Sequence, residues 1–197
     1  MATARDLKIL RDAGIDDPNT LLTAAAAFLQ THPMQLVGAV ENALSEEESA
    51  LLARHGAQGL QSTPQAERAI QQNTVTIAGE YAQMVSTALS QRATAERLGV
   101  GTSRVRQRID KGSIYALAAK KGRVCPQFQF AKSSTLPGLV KVLDAIGVGA
   151  HPVSVQRFFL KVSPDLVSDI TGEEMSPREW LIAGHDVDLV CRLAETI

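Results

Sequence analysis

The feature that most constrains this chain is a pair of short apolar patterns separated by Gly99. Small apolar residues before the glycine give a helical inner face, and glycine tolerates the positive φ that a sharp turn between helices needs. Val105 and Ile109 are four residues apart, so they share one face of a second helix. We therefore expect two short helices joined by a tight turn, with Thr102 or Ser103 capping the second.

The other sides of the second helix carry side chains that suit a DNA major groove. Arg can make two hydrogen bonds to guanine, Gln can do the same to adenine, and both reach phosphates. One helix cannot aim four neighbouring side chains at one surface, so we expect two or three at bases and the rest at phosphates. The candidates are Arg104, Arg106, Gln107 and Arg108, with Thr102 and Ser103 as phosphate donors near the helix start.

Charge is distributed very unevenly along the chain. Between Ser90 and Lys132, ten Lys and Arg stand against two acids, a net charge of +8, whereas the whole chain carries −1. The remainder must therefore carry −9. A basic central segment between acidic flanks is the electrostatic footprint of a nucleic-acid contact. The alternative is a structural helical hairpin whose basic face is simply solvated.

The segment Ser103–Leu117, SRVRQRIDKGSIYAL, resembles the second helix and following turn of MerR-like and excisionase-like DNA-binding domains. The shared pattern is a helix ending in an apolar residue, a charged pair that includes Lys111, then Gly112 and a short apolar strand. The resemblance implies a small β-hairpin, or wing, whose basic tip lies against the phosphate backbone. That tip would contain Lys120, Lys121 and Arg123.

The return strand of this hairpin is expected from Val124 to Phe130. Pro126 lies within it and has no amide proton to donate to a ladder. The strand should therefore be an edge or be interrupted at the proline.

Composition favours a mostly α fold. Hydrophobic residues make up 45% of the chain but aromatic residues only 4%, so the cores must be built largely from Ala, Leu, Val and Ile. No apolar run approaches the ~18 residues that a membrane span needs, and the N-terminus lacks the apolar stretch of a secretory signal. Cys125 and Cys191 show no pairing pattern, so we expect a cytoplasmic protein with reduced thiols.

We expect three regions: a helical N-terminal region over 1–62, a long helix plus winged helix-turn-helix over 63–132, and a helical C-terminal domain over 133–197. The long helix runs from about Pro64 to Ala88. It either pairs across a two-fold axis or packs as the first helix of the DNA-binding domain. Paired half-sites are usual for small DNA-binding domains, so a homodimer is expected.

The cleanest helix start in the chain is at Ser176, followed by Pro177 at the first helical position and by Glu179, which closes a capping box. The unit Ser176–Ile197 resembles the end of the C-terminal domain of Xre/MbcA/ParS-type antitoxins. The resemblance implies a toxin protein as partner and repression of the shared operon by the helix-turn-helix. Three large aromatic residues would be either core or anchors for that partner: Phe158, Phe159 and Trp180.

No arrangement of residues in the sequence points to catalysis. Gly99-Val100-Gly101 lacks the third glycine of a phosphate loop, and no Cys/His group has zinc spacing. His185-Asp186 is either an acid–base pair or a turn residue and a helix cap. We expect no enzyme activity, cofactor or metal. The leading hypothesis is a sequence-specific DNA-binding regulator, in one form an antitoxin; the alternative is a protein-interaction module whose acidic helical domains bind a partner, with DNA binding secondary.

Overall fold

A computed structural model of the protein describes residues 64–119, 122–147, 149–169 and 171–197, together with the isolated positions 23, 25, 26, 51, 54 and 55. This part of the chain is mostly helical with small antiparallel sheets, which confirms the mostly α expectation at that level. The helices expected within 1–62 fall outside the described residues, apart from those isolated positions. The two lysines expected at the tip of the hairpin, Lys120 and Lys121, also lie outside them.

The elements follow one another in a simple order. They are α1 (Pro64–Thr87), β1 (Leu89–Ser90), α2 (Gln91–Leu98), α3 (Thr102–Asp110), β2 (Leu117–Ala119), β3 (Gly122–Cys125), a 3₁₀ turn (Gln127–Gln129), α4 (Leu139–Ile146), α5 (Pro152–Leu160), β4 (Ser163–Val167), β5 (Glu174–Met175), α6 (Pro177–Ile182) and α7 (Val187–Ala194).

The two short helices expected on either side of Gly99 are α2 and α3. Ser90 begins α2, because its hydroxyl accepts a hydrogen bond from the Ala93 amide at 3.1 Å. Gly99 has φ 63° and ψ 33°, the left-handed conformation that lets the chain turn sharply after a helix. The turn between the helices is therefore as short as the sequence predicted.

Three strands form an antiparallel sheet in the order β1-β3-β2. The pairing of β2 with β3 ends at Ala119↔Gly122, so residues 120 and 121 connect the two strands. On its other edge β3 pairs with β1, where Leu89 lies opposite Cys125. The hairpin expected after α3 is present, but its return strand ends at Cys125 rather than at Phe130.

Pro126 ends β3, as its missing amide proton predicted. After Pro126, the fully buried side-chain amide of Gln129 makes backbone hydrogen bonds of the kind that a paired strand would make. Its Oε1 accepts a hydrogen bond from the Tyr115 amide at 2.7 Å, and its Nε2 donates to the carbonyls of Tyr115 and Pro126 at 2.7 and 3.0 Å. A buried amide left unsatisfied would cost about 1–3 kcal/mol. Because Gln129 is fully hydrogen-bonded, it holds the segment that follows the hairpin against Tyr115, in the segment that precedes it.

A small cluster of buried side chains holds α2 and α3 on this sheet. Val105 and Ile109, which were expected to share the inner face of α3, are 0% and 9% exposed. They pack with Ala95 of α2, Cys125 of β3 and Phe130. Burial raises the pKa of the Cys125 thiol, which keeps it protonated and apolar in this core.

The main core crosses the boundary expected between residues 132 and 133. Met84 of α1, Leu117 of β2 and Phe128 lie in one cluster with Phe159 and Trp180 from further along the chain. The rings of Phe128 and Phe159 stack with centroids 5.0 Å apart. The described parts of the second and third expected regions therefore share a hydrophobic core.

Helix α1 packs against this core through its C-terminal half. Glu80 of α1 accepts two hydrogen bonds from the Arg157 guanidinium of α5, at 2.7 and 2.9 Å. Val75, one turn and a half earlier, is 73% exposed. The contact to α5 joins the long helix to the region expected as the C-terminal domain, which neither expectation for this helix included. Pairing across a two-fold axis stays a prediction.

The caps expected near the C-terminal end of the sequence are confirmed. The Ser176 hydroxyl accepts from the Glu179 amide, while the Glu179 carboxylate accepts from the Ser176 amide, which together make a capping box. Asp186 caps α7 by accepting from the Asp188 amide at 2.9 Å.

Candidate nucleic-acid interface

The two buried residues of α3 determine which side of the helix faces solvent. Successive residues of an α-helix turn by about 100°, so the side opposite Val105 and Ile109 centres on Ser103 and Gln107. Both are exposed. Because Ser103 and Gln107 are four residues apart, they lie one above the other along the middle of this outer face.

Two arginines lie on either side of that midline. Arg104 and Arg106 are both exposed, and their positions on the helix differ by about 200°. The Arg104 guanidinium donates a hydrogen bond to the Gln107 side-chain oxygen. Arg106 makes no hydrogen bond or ion pair within the described ranges. The outer face thus presents donors on both sides of a polar centre.

The expected cap of α3 was wrong. Gly101 occupies the N-cap position with extended backbone, and no side chain caps the helix. Glycine is tolerated there because a cap residue needs a non-helical φ and ψ. Thr102 and Ser103 are exposed, and neither hydroxyl has a hydrogen-bond partner among the residues that the structure covers. Both hydroxyls therefore remain available at the helix start.

Two of the residues expected to contact DNA have protein partners. Arg108 is half-buried, and its Nη2 donates to the Thr135 hydroxyl at 3.2 Å. Arg123 forms an ion pair with Asp110, with 2.8 Å between Nη2 and Oδ1. Lys111 is exposed at the C-terminal end of α3. The basic segment therefore contains cations that hold the fold as well as cations that face solvent.

Sequence reasoning missed the role of Arg97 at the end of α2. Its guanidinium donates to the carbonyls of Ala131 and Lys132, at 2.8 and 3.1 Å, and lies 5.3 Å from the centre of the Phe130 ring. Arg178 likewise donates to the carbonyls of Phe128 and Phe130. Partners more than thirty residues away leave no periodic signal, so the sequence did not reveal these roles.

The three aromatic residues expected to be either core or partner anchors are placed differently from one another. Phe159 is 0% exposed and Trp180 is 7% exposed, so both are core residues in this chain. The Trp180 indole donates to the Asp186 carbonyl at 2.8 Å and packs beside His185. Phe158 is half-buried and lines a groove of about 430 Å³. Of the three, Phe158 alone reaches a surface that a partner could contact.

Other kinds of site find little support in this part of the chain. Within the described ranges, no three His, Cys, Asp or Glu side chains come close enough together to hold a metal ion. Among the same residues, no helix combines the length and apolar character needed to cross a membrane. On the outer face of α3 and its two edges, four polar or cationic side chains are exposed: Ser103, Arg104, Arg106 and Gln107.

Comparison with known proteins gives one structural neighbour. No family model matches the sequence, and no curated protein matches it. A solved structure described as the "NMR structure of Rv2175c" is similar over part of its length, with 26% sequence identity and a TM-score of 0.42. The similarity covers 55% of this chain and 79% of that one.

Proposed function

We propose that this protein is a sequence-specific regulator that binds double-stranded DNA through a winged helix-turn-helix. In this proposal α2 and α3 are the two helices and the β2–β3 hairpin is the wing. The observation that carries it is the outer face of α3. Its inner residues are locked in a core, while its outer residues are of types that contact base edges or phosphates: Ser103, Arg104, Arg106 and Gln107.

The positions on α3 suggest how the contacts divide. Gln107 and its hydrogen-bonded neighbour Arg104 lie at and beside the centre of the outer face, so they are proposed to read bases. Binding would exchange their mutual hydrogen bond for bonds to bases, and this costs little because both side chains are exposed. Thr102 and Ser103 are placed to donate to a phosphate, since the positive end of the helix dipole is there.

The hairpin supplies the remaining proposed contacts. Arg123 lies on β3 close to the C-terminal end of α3, and the two-residue connection that follows β2 contains Lys120 and Lys121. Cations at these positions would neutralise phosphates beside the groove that α3 enters. Phosphate contacts position a protein on DNA and supply a salt-dependent share of its affinity.

The test is a fluorescence-anisotropy titration of two labelled duplexes at two salt concentrations. One duplex comes from DNA upstream of the protein's own coding region, and the other is a scrambled version. The proposal expects tighter binding to the native duplex that persists at the higher salt. A variant with both Arg104→Ala and Arg106→Ala should lose that preference, whereas Arg192→Ala, an exposed cation on α7, should retain it.

Two results would contradict the proposal. Equal, salt-labile binding of the wild-type protein to both duplexes would mean that the basic surface attracts DNA without reading it. Unchanged binding by the Arg104/Arg106 variant would remove α3 from the interface.

A second candidate function is binding of a protein partner, for which a toxin is the proposed example. The groove beside Phe158 is lined by apolar groups of Pro177 and Leu193, and by Val162, which is 55% exposed. Exposed Val162 and the half-buried Phe158 and Leu193 make this groove partly apolar, and contiguous apolar surface is typical of contact sites. Co-purification with the product of a neighbouring gene should be lost in Val162→Asp and kept in Val75→Asp, an equally apolar exposed position on α1.

A further inference from the structure

A four-residue loop, residues 131–134, lies against both helices of the proposed DNA-binding unit; we name it the clamped loop. Phe130 and Thr135 form an antiparallel bridge at its base. The Ala131 amide donates to the Ser134 carbonyl at 2.9 Å, which closes the loop tightly. The clamped loop is thus a small ordered turn with its own internal hydrogen bond.

One arginine from each helix holds it. Arg97 of α2 donates to the Ala131 carbonyl through Nη2 at 2.8 Å and to the Lys132 carbonyl through Nε at 3.1 Å. Arg108 of α3 donates to the Thr135 hydroxyl at 3.2 Å. Hydrogen bonds from a charged donor are the stronger kind. The position of the loop is therefore fixed relative to α3.

The clamping leaves the loop with donors on its outside. The carbonyls of Ala131, Lys132 and Ser134 all accept hydrogen bonds from the protein. By contrast, the backbone amides of Lys132, Ser133 and Ser134 donate to no acceptor in the described part of the chain, and all three residues are exposed. With the Lys132 ammonium and two hydroxyls, the outer side of the loop offers donors to an anion and contains no carboxylate.

The clamped loop lies on one flank of α3. Arg108 and Asp110 are two residues apart, so they project about 200° apart, to opposite flanks of the helix. Arg108 contacts Thr135, at the base of the clamped loop, and Asp110 contacts the hairpin through Arg123. The loop and the hairpin therefore flank the outer face of α3 on its two sides.

We infer that the clamped loop is a second phosphate-binding element, which contacts the DNA backbone on the side of α3 opposite the hairpin. Lys132 and the outward amides would hold one phosphate of the duplex that α3 enters, with Ser133 and Ser134 as further donors. This inference rests on the proposed DNA binding. It assigns Arg97 and Arg108 as positioning residues, which act by holding the loop rather than by touching DNA.

The experiment measures the salt dependence of binding for Lys132→Ala in the full chain. Each phosphate neutralised on B-form DNA contributes about 0.9 to the slope of log affinity against log salt. Lys132→Ala should lower that slope by about 1 and weaken the native and the scrambled duplex alike, by roughly three- to tenfold at low salt. Lys161→Ala, which removes an exposed cation at the end of α5, is the matched control and should change neither quantity.

A second variant tests the amides and hydroxyls. Ser133→Asp places a carboxylate among the donors, so it should weaken binding to both duplexes more than Lys132→Ala does. Thermal unfolding of each variant checks that the fold is intact; the midpoints should match that of the wild-type protein, because both side chains are exposed.

The outcomes separate this inference from the function on which it rests. If Lys132→Ala and Ser133→Asp bind like the Lys161 control while the Arg104/Arg106 variant loses binding, the clamped loop is not a contact and the proposed function stands. If the wild-type protein binds neither duplex, the proposed function and this inference both fail. Equal losses on both duplexes with a reduced slope would support the inference.

Discussion

Asp110, the last residue of α3, forms an ion pair with Arg123 of the hairpin, with 2.8 Å between Oδ1 and Nη2. The pair joins the helix proposed to enter the major groove to the strand proposed to lie beside it. It also places a carboxylate next to the cations of the interface. The side chains are 56% and 39% exposed, so the pair should contribute less than about 1 kcal/mol to folding.

Asp110→Asn should therefore affect DNA binding more than stability. The change removes a negative charge that repels phosphates and releases Arg123 to contact them. Affinity for the scrambled duplex should rise about threefold or more at low salt, while affinity for the native duplex rises less, so specificity falls. Anisotropy titrations of both duplexes measure this, and denaturant unfolding measures stability.

The control for charge alone is Glu96→Gln on α2. Glu96 forms a more exposed pair with Arg92, at 3.0 Å, and its loss changes the net charge by the same amount. If the two variants raise binding to the scrambled duplex equally, the effect comes from net charge and the Asp110–Arg123 pair has no particular role at the interface.

Arg106 and Lys111 should behave as two different kinds of contact. Arg106→Ala should cost on the order of 1–3 kcal/mol on the native duplex and relax the preference at one base position. Lys111→Ala should weaken the native and scrambled duplexes alike and reduce the salt slope by about 1. Titrations against single-base variants of the native duplex distinguish them. Uniform weakening by Arg106→Ala would reassign this residue to the phosphate backbone.

The Glu80–Arg157 pair predicts a pH dependence of stability. The hydrogen bond from Arg157, together with the charge of that guanidinium, lowers the pKa of Glu80 below its ordinary value of 4.5, although burial partly opposes this. A carboxyl whose pKa is lower in the folded state stabilises the fold above its unfolded pKa, and the contribution is lost as pH falls through the folded pKa. Since both side chains are about one-third exposed, the contribution at neutral pH should be below about 1 kcal/mol.

Glu80→Gln is the variant that isolates this contribution. The difference in unfolding free energy between wild type and Glu80→Gln should be constant from neutral pH down to about 5.5 and then shrink as the pH falls below the ordinary carboxyl pKa. Urea unfolding at a series of pH values measures it. A difference that grew on acidification would show that the carboxyl pKa is raised rather than lowered.

Local patterns in the sequence predicted several turns, caps and buried pairs of the fold. The turn at Gly99, the buried pair Val105 and Ile109, and the capping box at Ser176 each depend on residues within a few positions of one another. Such patterns act through the spacing of one helix or one cap, so a single sequence contains them. The end of β3 at Cys125 was predictable for the same reason, because it depends on the next residue, Pro126.

What the sequence could not predict are contacts between distant segments. Gln129 was expected on a strand, yet it is a fully buried amide that pairs with the backbone of Tyr115. Arg97 was counted only as one cation of the basic segment, although its partners lie more than thirty residues away and fix the fold. The shared core of Phe128 and Phe159 likewise depends on tertiary packing. The basic segment was therefore visible from sequence, but the division between structural and solvent-facing cations was not.

The contact between the start of α4 and α7 predicts an effect on folding stability alone. Gly138 precedes α4 with φ 68°, and a Cβ at this position would lie 2.5 and 2.7 Å from the two Cγ atoms of Val187. Gly138→Ala should therefore suffer both backbone strain and a steric clash, and lose about 2–4 kcal/mol of unfolding free energy. Gly184→Ala, at φ 82° with nothing within 4 Å of its Cβ, should lose only the strain, about 1–2 kcal/mol.

A double variant, Gly138→Ala with Val187→Ala, separates the two causes. Removing the valine methyl groups opens space for the new Cβ, so the double variant should be more stable than the sum of the two single losses predicts. Thermal and urea unfolding of the four proteins give this coupling energy directly. Additive losses, or equal losses for Gly138→Ala and Gly184→Ala, would mean that α7 does not pack closely on the start of α4 in solution.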